Sequence, residues 1–152
     1  MPVQEDLVEL EIAAFMGPHI KRARIALVLV GIVYLYSTYS SYDAVKAAHD
    51  MVRGDSSRVA SAVNMAYYLV VATGIAGVAN IILAAIGGTK TTFAIHVAMA
   101  IFAAHSLFML YLGAIVLTSW IWWLTAIALG MGFQAAWKAD QLRKNRRLSM
   151  NL

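Results

Sequence analysis

Cysteine is absent from the 152-residue chain, which excludes disulfide bonds, thiolate nucleophiles and cysteine-ligated zinc or iron–sulfur centres. Charge is also scarce, because only 13% of the residues are charged, against about 25% in ordinary soluble domains. No Asp, Glu, Lys or Arg occurs between Arg58 and Lys90, or between Lys90 and Lys138. About 20 apolar residues cross a bilayer core, so these intervals predict membrane-spanning helices.

Hydrophobic residues make up 61% of the chain. The uncharged interval from Thr91 to Trp137 is long enough for two crossings, and within its "LTSWIWW" stretch Thr118 or Ser119 can cap a new helix. The tryptophans of that stretch suit the headgroup layer. We therefore predict an all-α integral membrane protein whose domain, 19–137, holds four transmembrane helices, at about 23–42, 63–86, 92–117 and 120–137.

The basic residues predict the orientation, because Lys and Arg collect on the cytoplasmic side of a membrane. Nine lie on one predicted side: Lys21, Arg22, Arg24, Lys90, Lys138, Arg143, Lys144, Arg146 and Arg147. Lys46, Arg53 and Arg58 lie on the other. Both termini are therefore expected in the cytoplasm, in a plasma membrane or a bacterial inner membrane. This topology accounts for the net charge of +4, so no nucleic-acid partner is expected.

The stretch "YLYSTYSSYD", Tyr34 to Asp43, passes from an apolar run into charged sequence without a Gly or Pro. Helical spacing continues through Tyr36, Tyr39, Asp43, Lys46 and Asp50. We therefore expect the first helix to leave the bilayer and to form an extracytoplasmic hairpin, 43–62, with the second helix. The tyrosines would anchor the boundary or, alternatively, line a ligand site or pore mouth.

The reversal of this hairpin is expected at "RGDSS", where Gly54 is the first strong helix breaker. Asp55, Ser56 and Ser57 offer an N-cap for the returning helix.

The two chain ends carry opposite charge. Residues 1–18 predict a short amphipathic helix that ends at "GP", with acidic residues Glu5, Asp6, Glu9 and Glu11 and an apolar stripe of Val8, Ile12, Phe15 and Met16. This segment lacks the basic start of a signal peptide, so no cleaved leader is expected. The tail, 138–152, is basic. The acidic helix could dock near it, or each end could be solvated independently.

Apart from Arg24, at the cytoplasmic end of the first, no Asp, Glu, Lys or Arg lies within a predicted span, which disfavours ion-coupled transport and voltage sensing. The remaining pore or ligand candidates are Tyr36, Tyr39, Asn80, His96, His105 and Gln134. A histidine near mid-bilayer can be a hydrogen-bonded packing residue or part of a solute or proton path. His96 and His105 are nine residues apart and face opposite sides of one helix, so together they cannot ligate a haem. No cofactor or metal is expected.

Small residues recur at four-residue spacing in the predicted spans, which permits close helix packing in lipid. The packing candidates are Gly77, Ala98, Ala104, Gly130 and Gly132. More such positions occur than one small bundle needs, which favours a homo-oligomer or a membrane-complex partner. We expect a non-catalytic subunit or scaffold that packs laterally and presents the hairpin. The alternative is an oligomeric channel or small-solute transporter lined by the tyrosines, Asn80 and His105. An enzyme is least favoured, because no nucleophile, metal-ligand set or phosphate loop is recognisable.

Overall fold

The computed structural model describes the backbone of residues 2–54, 57–87, 90–111 and 119–150, and the side chains of 14, 16–54, 57–87, 90–111 and 119–145. Within these ranges the chain forms four helices and no strand. The helices are α1 (Pro2–Met51), α2 (Arg58–Ile86), α3 (Thr91–Tyr111) and α4 (Trp120–Met150). The predicted all-α class is confirmed.

Three of the described helical segments are long and apolar enough to cross a membrane: Met16–Met51, Arg58–Ile86 and Thr91–Tyr111. Their length and composition are consistent with the predicted integral membrane protein. Helix α4 is not among the three. It combines tryptophans and Gln134 with a strongly charged segment that begins at Lys138, and over its whole length it is the least apolar of the four described helices.

Helix α1 is continuous through Gly17 and Pro18, where the sequence predicts the end of a separate amphipathic helix, 1–18. Proline removes one backbone N–H, and so the hydrogen bond to the carbonyl four residues earlier. The bonds of the turns before and after it are unaffected, and they carry α1 across this position. The acidic and apolar side chains assigned to the N-terminal segment, apart from Met16, lie outside the described residues.

Helix α1 continues as far as Met51, as the unbroken helical spacing predicts. Gly54 then has a φ of +90°, a conformation that glycine adopts without steric penalty. The chain returns through Ser57, whose hydroxyl accepts a hydrogen bond from the Ala60 amide at 3.2 Å and so caps α2. Asp55 and Ser56, the other predicted caps, lie outside the described residues.

Helix α4 begins at Trp120, directly after Ser119. The Trp123 amide donates a hydrogen bond to the Ser119 carbonyl, which matches the predicted start of a helix in the "LTSWIWW" stretch. Thr118 and the part of the predicted third span beyond Tyr111 lie outside the described residues.

Helix α1 is the central element, because it packs most extensively against α2 and then against α4. Two glycines bring α1 and α2 together, since a Cβ on Gly31 would lie 2.9 Å from the Gly77 carbonyl oxygen. All four helices contribute to the core, which comprises Ala23, Leu27, Val30, Ala84, Ala94, Ile95, Ala98, Leu129, Ala135 and Ala136. Small side chains dominate this set, so the bundle depends on close backbone approach more than on bulky packing.

Candidate functional site

Four of the six predicted pore or ligand residues point away from the bundle. Tyr36 and Tyr39 on α1 are 57% and 81% exposed, and His96 on α3 and Gln134 on α4 are also exposed. These four residues belong to three different helices. A single chain therefore does not gather them around a common path.

Asn80 is fully buried on α2. Its side-chain nitrogen donates a hydrogen bond to the Ala76 carbonyl at 2.8 Å. Its side-chain oxygen has no hydrogen-bond partner among the described residues. The amide is thus half satisfied, by a bond within its own helix.

His105 on α3 is half-buried and lies against Tyr34 of α1. The two rings are 5.5 Å apart between centroids, with an interplanar angle of 40°. Tyr34 is 3% exposed, and its hydroxyl has no hydrogen-bond partner among the described residues. The imidazole of α3 and the phenol of α1 therefore face each other where the two helices meet.

A second polar contact adjoins this pair on α3. Ser106, the residue after His105, accepts a hydrogen bond from the Trp122 indole nitrogen at 2.9 Å. The Trp122 ring also lies 5.5 Å from that of Phe102. Tyr34, His105, Ser106 and Trp122 thus join three helices, and we call them the Tyr–His cluster. It offers hydrogen-bonding groups in an apolar setting, with no acidic residue among them.

Tyr34 was not singled out from the sequence, although a signal for it exists. Leu27, Val30 and Tyr34 follow one another at helical spacing, and all three are buried. The neighbouring tyrosines at 36 and 39 lie off that stripe. Because the whole run is apolar, its sequence does not distinguish a lipid-facing side from a core-facing side.

The two histidines of α3 have separate environments. His96 bonds through its Nδ1 atom to the Thr92 carbonyl at 2.7 Å, and its ring meets Phe133 edge-on. His105 instead faces Tyr34. Among the described side chains, no group of three His, Asp or Glu residues is arranged to hold a metal ion.

The predicted packing residues divide into an inner and an outer set. Gly77, Ala98 and Gly132 are buried, and a Cβ on Gly132 would lie 2.9 Å from Ala26 of α1 and 2.9 Å from Ile95 of α3. Ala104 and Gly130 are exposed, and a Cβ on Gly130 would meet no atom within 4 Å. Within the part of the chain that the structure describes, the outer positions are therefore unused by helix packing.

Gly130 belongs to a distinct outward stripe on α4. We call it the α4 face, and it consists of Trp123, Ile127, Gly130, Gln134 and Trp137. These residues recur at intervals of four and three, and all are exposed. The face has a tryptophan at each end, a glycine near its centre and one amide. It thus combines a site of close approach with a polar group that can bond to a partner.

His49 joins the two arms of the hairpin near its tip. Its Nδ1 atom lies 2.8 Å from the Asn64 side-chain oxygen, and its ring stacks on Tyr67 with centroids 4.4 Å apart. Tyr42 also approaches Tyr67. Spacing along one helix does not reveal these partners of His49, because they lie on the next helix. These contacts hold the hairpin together.

Comparisons of the chain with protein-family models, curated proteins and solved structures give no match.

Proposed function

We propose that the protein is a non-catalytic subunit or scaffold of a membrane assembly, in which copies pack through the α4 face. The observation that carries this proposal is the pairing of Gly130 and Gln134, one turn apart, on the exposed side of α4. The hairpin formed by the outer turns of α1 and α2 would then be displayed from the assembly as a rigid contact element.

The physical argument begins with the amide of Gln134. In lipid, water is not available to satisfy a polar side chain, so association that supplies a hydrogen-bond partner is favoured. A second copy, with its α4 face opposed, supplies an identical amide. Gly130 leaves open space beside it, so the two backbones can approach closely enough for the amides to meet. Such an interhelical hydrogen bond contributes about 0.6–2 kcal/mol.

The assembly proposal includes the finer topology, with four crossings, both termini in the cytoplasm, and residence in a plasma or bacterial inner membrane. Two features support it. The basic residues are divided unequally between the two predicted sides. Trp120 and Trp137 bracket an uncharged segment of α4, and tryptophan prefers the two interfaces of a bilayer.

The second candidate function is that of an oligomeric channel, and one observation favours it. Tyr36, Tyr39, His96 and Gln134 are all exposed on a single chain, so a polar path could form only between chains. Flux of small solutes into liposomes containing the protein distinguishes the two functions. A scaffold leaves the liposomes impermeable to small solutes. A channel lets them pass, and His96→Ala should alter the rate of this flux.

The test of assembly is the oligomeric state in lipid nanodiscs or mild detergent, followed by light scattering or single-molecule photobleaching. We expect Gly130→Ile and Gln134→Leu each to weaken association by up to about thirtyfold. Each variant has a matched control. Ala104→Ile enlarges an exposed small residue on α3, and Gln141→Leu removes an exposed amide from the charged part of α4.

The controls are expected to assemble like the unaltered protein. A protein that stays monomeric at every concentration contradicts the proposal. Dissociation by Ala104→Ile, with no effect of Gly130→Ile, also contradicts it, because the interface would then lie on α3. Retained helix content by circular dichroism shows that a dissociated variant is still folded.

A further inference from the structure

A groove lies between α1 and the C-terminal turns of α2, on a different part of the surface from the α4 face. It encloses about 690 Å³. Its α1 wall extends from Gly17 to Leu29, and its α2 wall includes Ile81, Ala84 and Ala85. The groove exists because Gly17 and the two alanines project little or nothing into the space between the helices.

The groove changes character along its length. Lys21 and Arg24 lie in the half nearer Gly17, beside Ile20, and beyond them the α1 wall is formed by Ile25, Val28 and Leu29. From Ile25 to Tyr42 the chain carries no charge. Lys21 and Leu29 are eight residues apart, which corresponds to about 12 Å along the helix. The lining therefore suits an amphiphile with an anionic head and an apolar tail.

Arg24 is held in a fixed position at the charged end. Its Nε atom donates a hydrogen bond to the Ala84 carbonyl at 2.7 Å, one of the last carbonyls of α2 that have no partner within the helix. The bond anchors one edge of the guanidinium group and leaves its terminal nitrogens to donate elsewhere. Among the described side chains, no carboxylate forms an ion pair with Lys21 or Arg24.

We infer that this groove binds an anionic phospholipid, with the phosphate at Lys21 and Arg24 and one acyl chain along Ile25, Leu29 and Ile81. Charge complementarity selects this occupant, because basic pockets between membrane helices bind acidic headgroups. The apolar continuation of the groove selects a lipid over a free phosphate, which would leave it unfilled. The inference does not depend on assembly through the α4 face.

The test is native mass spectrometry of the full chain, released from nanodiscs that contain equal amounts of phosphatidylglycerol and phosphatidylcholine. We expect phosphatidylglycerol to be retained preferentially. Lys21→Gln should lower that preference by about fivefold, since one basic residue contributes about 1 kcal/mol to binding an anionic lipid. Arg22→Gln is the matched control, because Arg22 is an exposed neighbour that does not line the groove.

A second variant, Arg24→Lys, keeps the charge but removes the planar guanidinium group that bonds to Ala84. It should lower the preference by less than Lys21→Gln does. An equal loss in Lys21→Gln and Arg22→Gln would assign the effect to diffuse surface charge and overturn the inference. An unchanged preference for phosphatidylglycerol in both Lys21→Gln and Arg22→Gln would overturn the inference as well.

Two further outcomes identify other occupants. Inorganic phosphate that competes with phosphatidylglycerol at millimolar concentration would show that the acyl chain contributes nothing, and would overturn the lipid assignment. A lower oligomeric state in Lys21→Gln, with unchanged lipid retention, would assign the groove to a second copy of the chain. Neither result changes the outcome expected for Gly130→Ile or Gln134→Leu. The groove proposal and the α4-face proposal can therefore be contradicted independently of each other.

Discussion

The close crossing of α1 and α2 predicts that replacing its glycines by alanine destabilises the protein to different degrees. A Cβ on Gly31 would lie 2.6 Å from an Ile81 side-chain carbon and 2.9 Å from the Gly77 carbonyl oxygen. Carbon atoms in favourable contact are about 3.5–4.0 Å apart. The Ile81 side chain can rotate away, but the Gly77 carbonyl belongs to the backbone. Gly31→Ala should therefore force the helices apart and lower the free energy of unfolding by about 1–3 kcal/mol.

The other glycines of this interface set the order of the series. A Cβ on Gly77 would approach Leu35 to 3.0 Å, and one on Gly74 would approach Thr38 to 3.1 Å. We expect Gly77→Ala to be intermediate and Gly74→Ala to have the smallest effect of the three. Gly17→Ala is the matched control, because a Cβ there meets no atom within 4 Å. It should leave stability unchanged or raise it by up to about 1 kcal/mol.

The assay is unfolding in mixed micelles by added sodium dodecyl sulfate, followed by circular dichroism. The cysteine-free background also allows spin labels at Ala47→Cys and Ser61→Cys, both exposed positions of the hairpin. The distance between the labels should lengthen in Gly31→Ala. If Gly31→Ala unfolds like Gly17→Ala and leaves that distance unchanged, α1 and α2 do not pack as described.

Three further predictions concern single side chains. His49→Ala removes the hydrogen bond to Asn64 and the stacking on Tyr67, so hydrogen exchange at the hairpin tip should accelerate by about tenfold or more; unchanged exchange would show that these contacts do not stabilise it. Ser106→Ala leaves the Trp122 indole N–H without its acceptor and should lower the free energy of unfolding by about 1–3 kcal/mol, measured in the same micelle assay. Lys46→Ala should have no measurable effect there, because its ion pair with Asp50 is about half exposed.

The outline of the fold follows from local sequence. The uncharged intervals indicate membrane helices, and the absence of Gly or Pro between Tyr34 and Met51 predicts the long first helix. The predicted end of a helix at Gly17 and Pro18 does not occur, because α1 continues through both residues. Proline removes only one hydrogen bond, and the remaining bonds of a cooperative helix maintain it. Whether a helix ends at a proline therefore depends on the stability of the turns on both sides of it.

The interior arrangement could not be predicted in the same way. In water, a helix shows its buried side by the spacing of apolar residues. In a membrane helix both the lipid side and the core side are apolar, so this signal weakens. For this reason the sequence does not separate buried Tyr34 from exposed Tyr36. The contact between His49 and Tyr67 joins two helices, and no spacing along one helix encodes it.

The length of α1 has a mechanical consequence. Its 50 residues correspond to about 75 Å, more than twice the thickness of a hydrocarbon core. A rod of that length acts as a lever with arms on both sides of its pivot. A ligand that pulls on the hairpin sideways would swing the opposite end in the reverse direction, and because α2 and α4 pack against α1, these helices would tilt together as the force is transmitted.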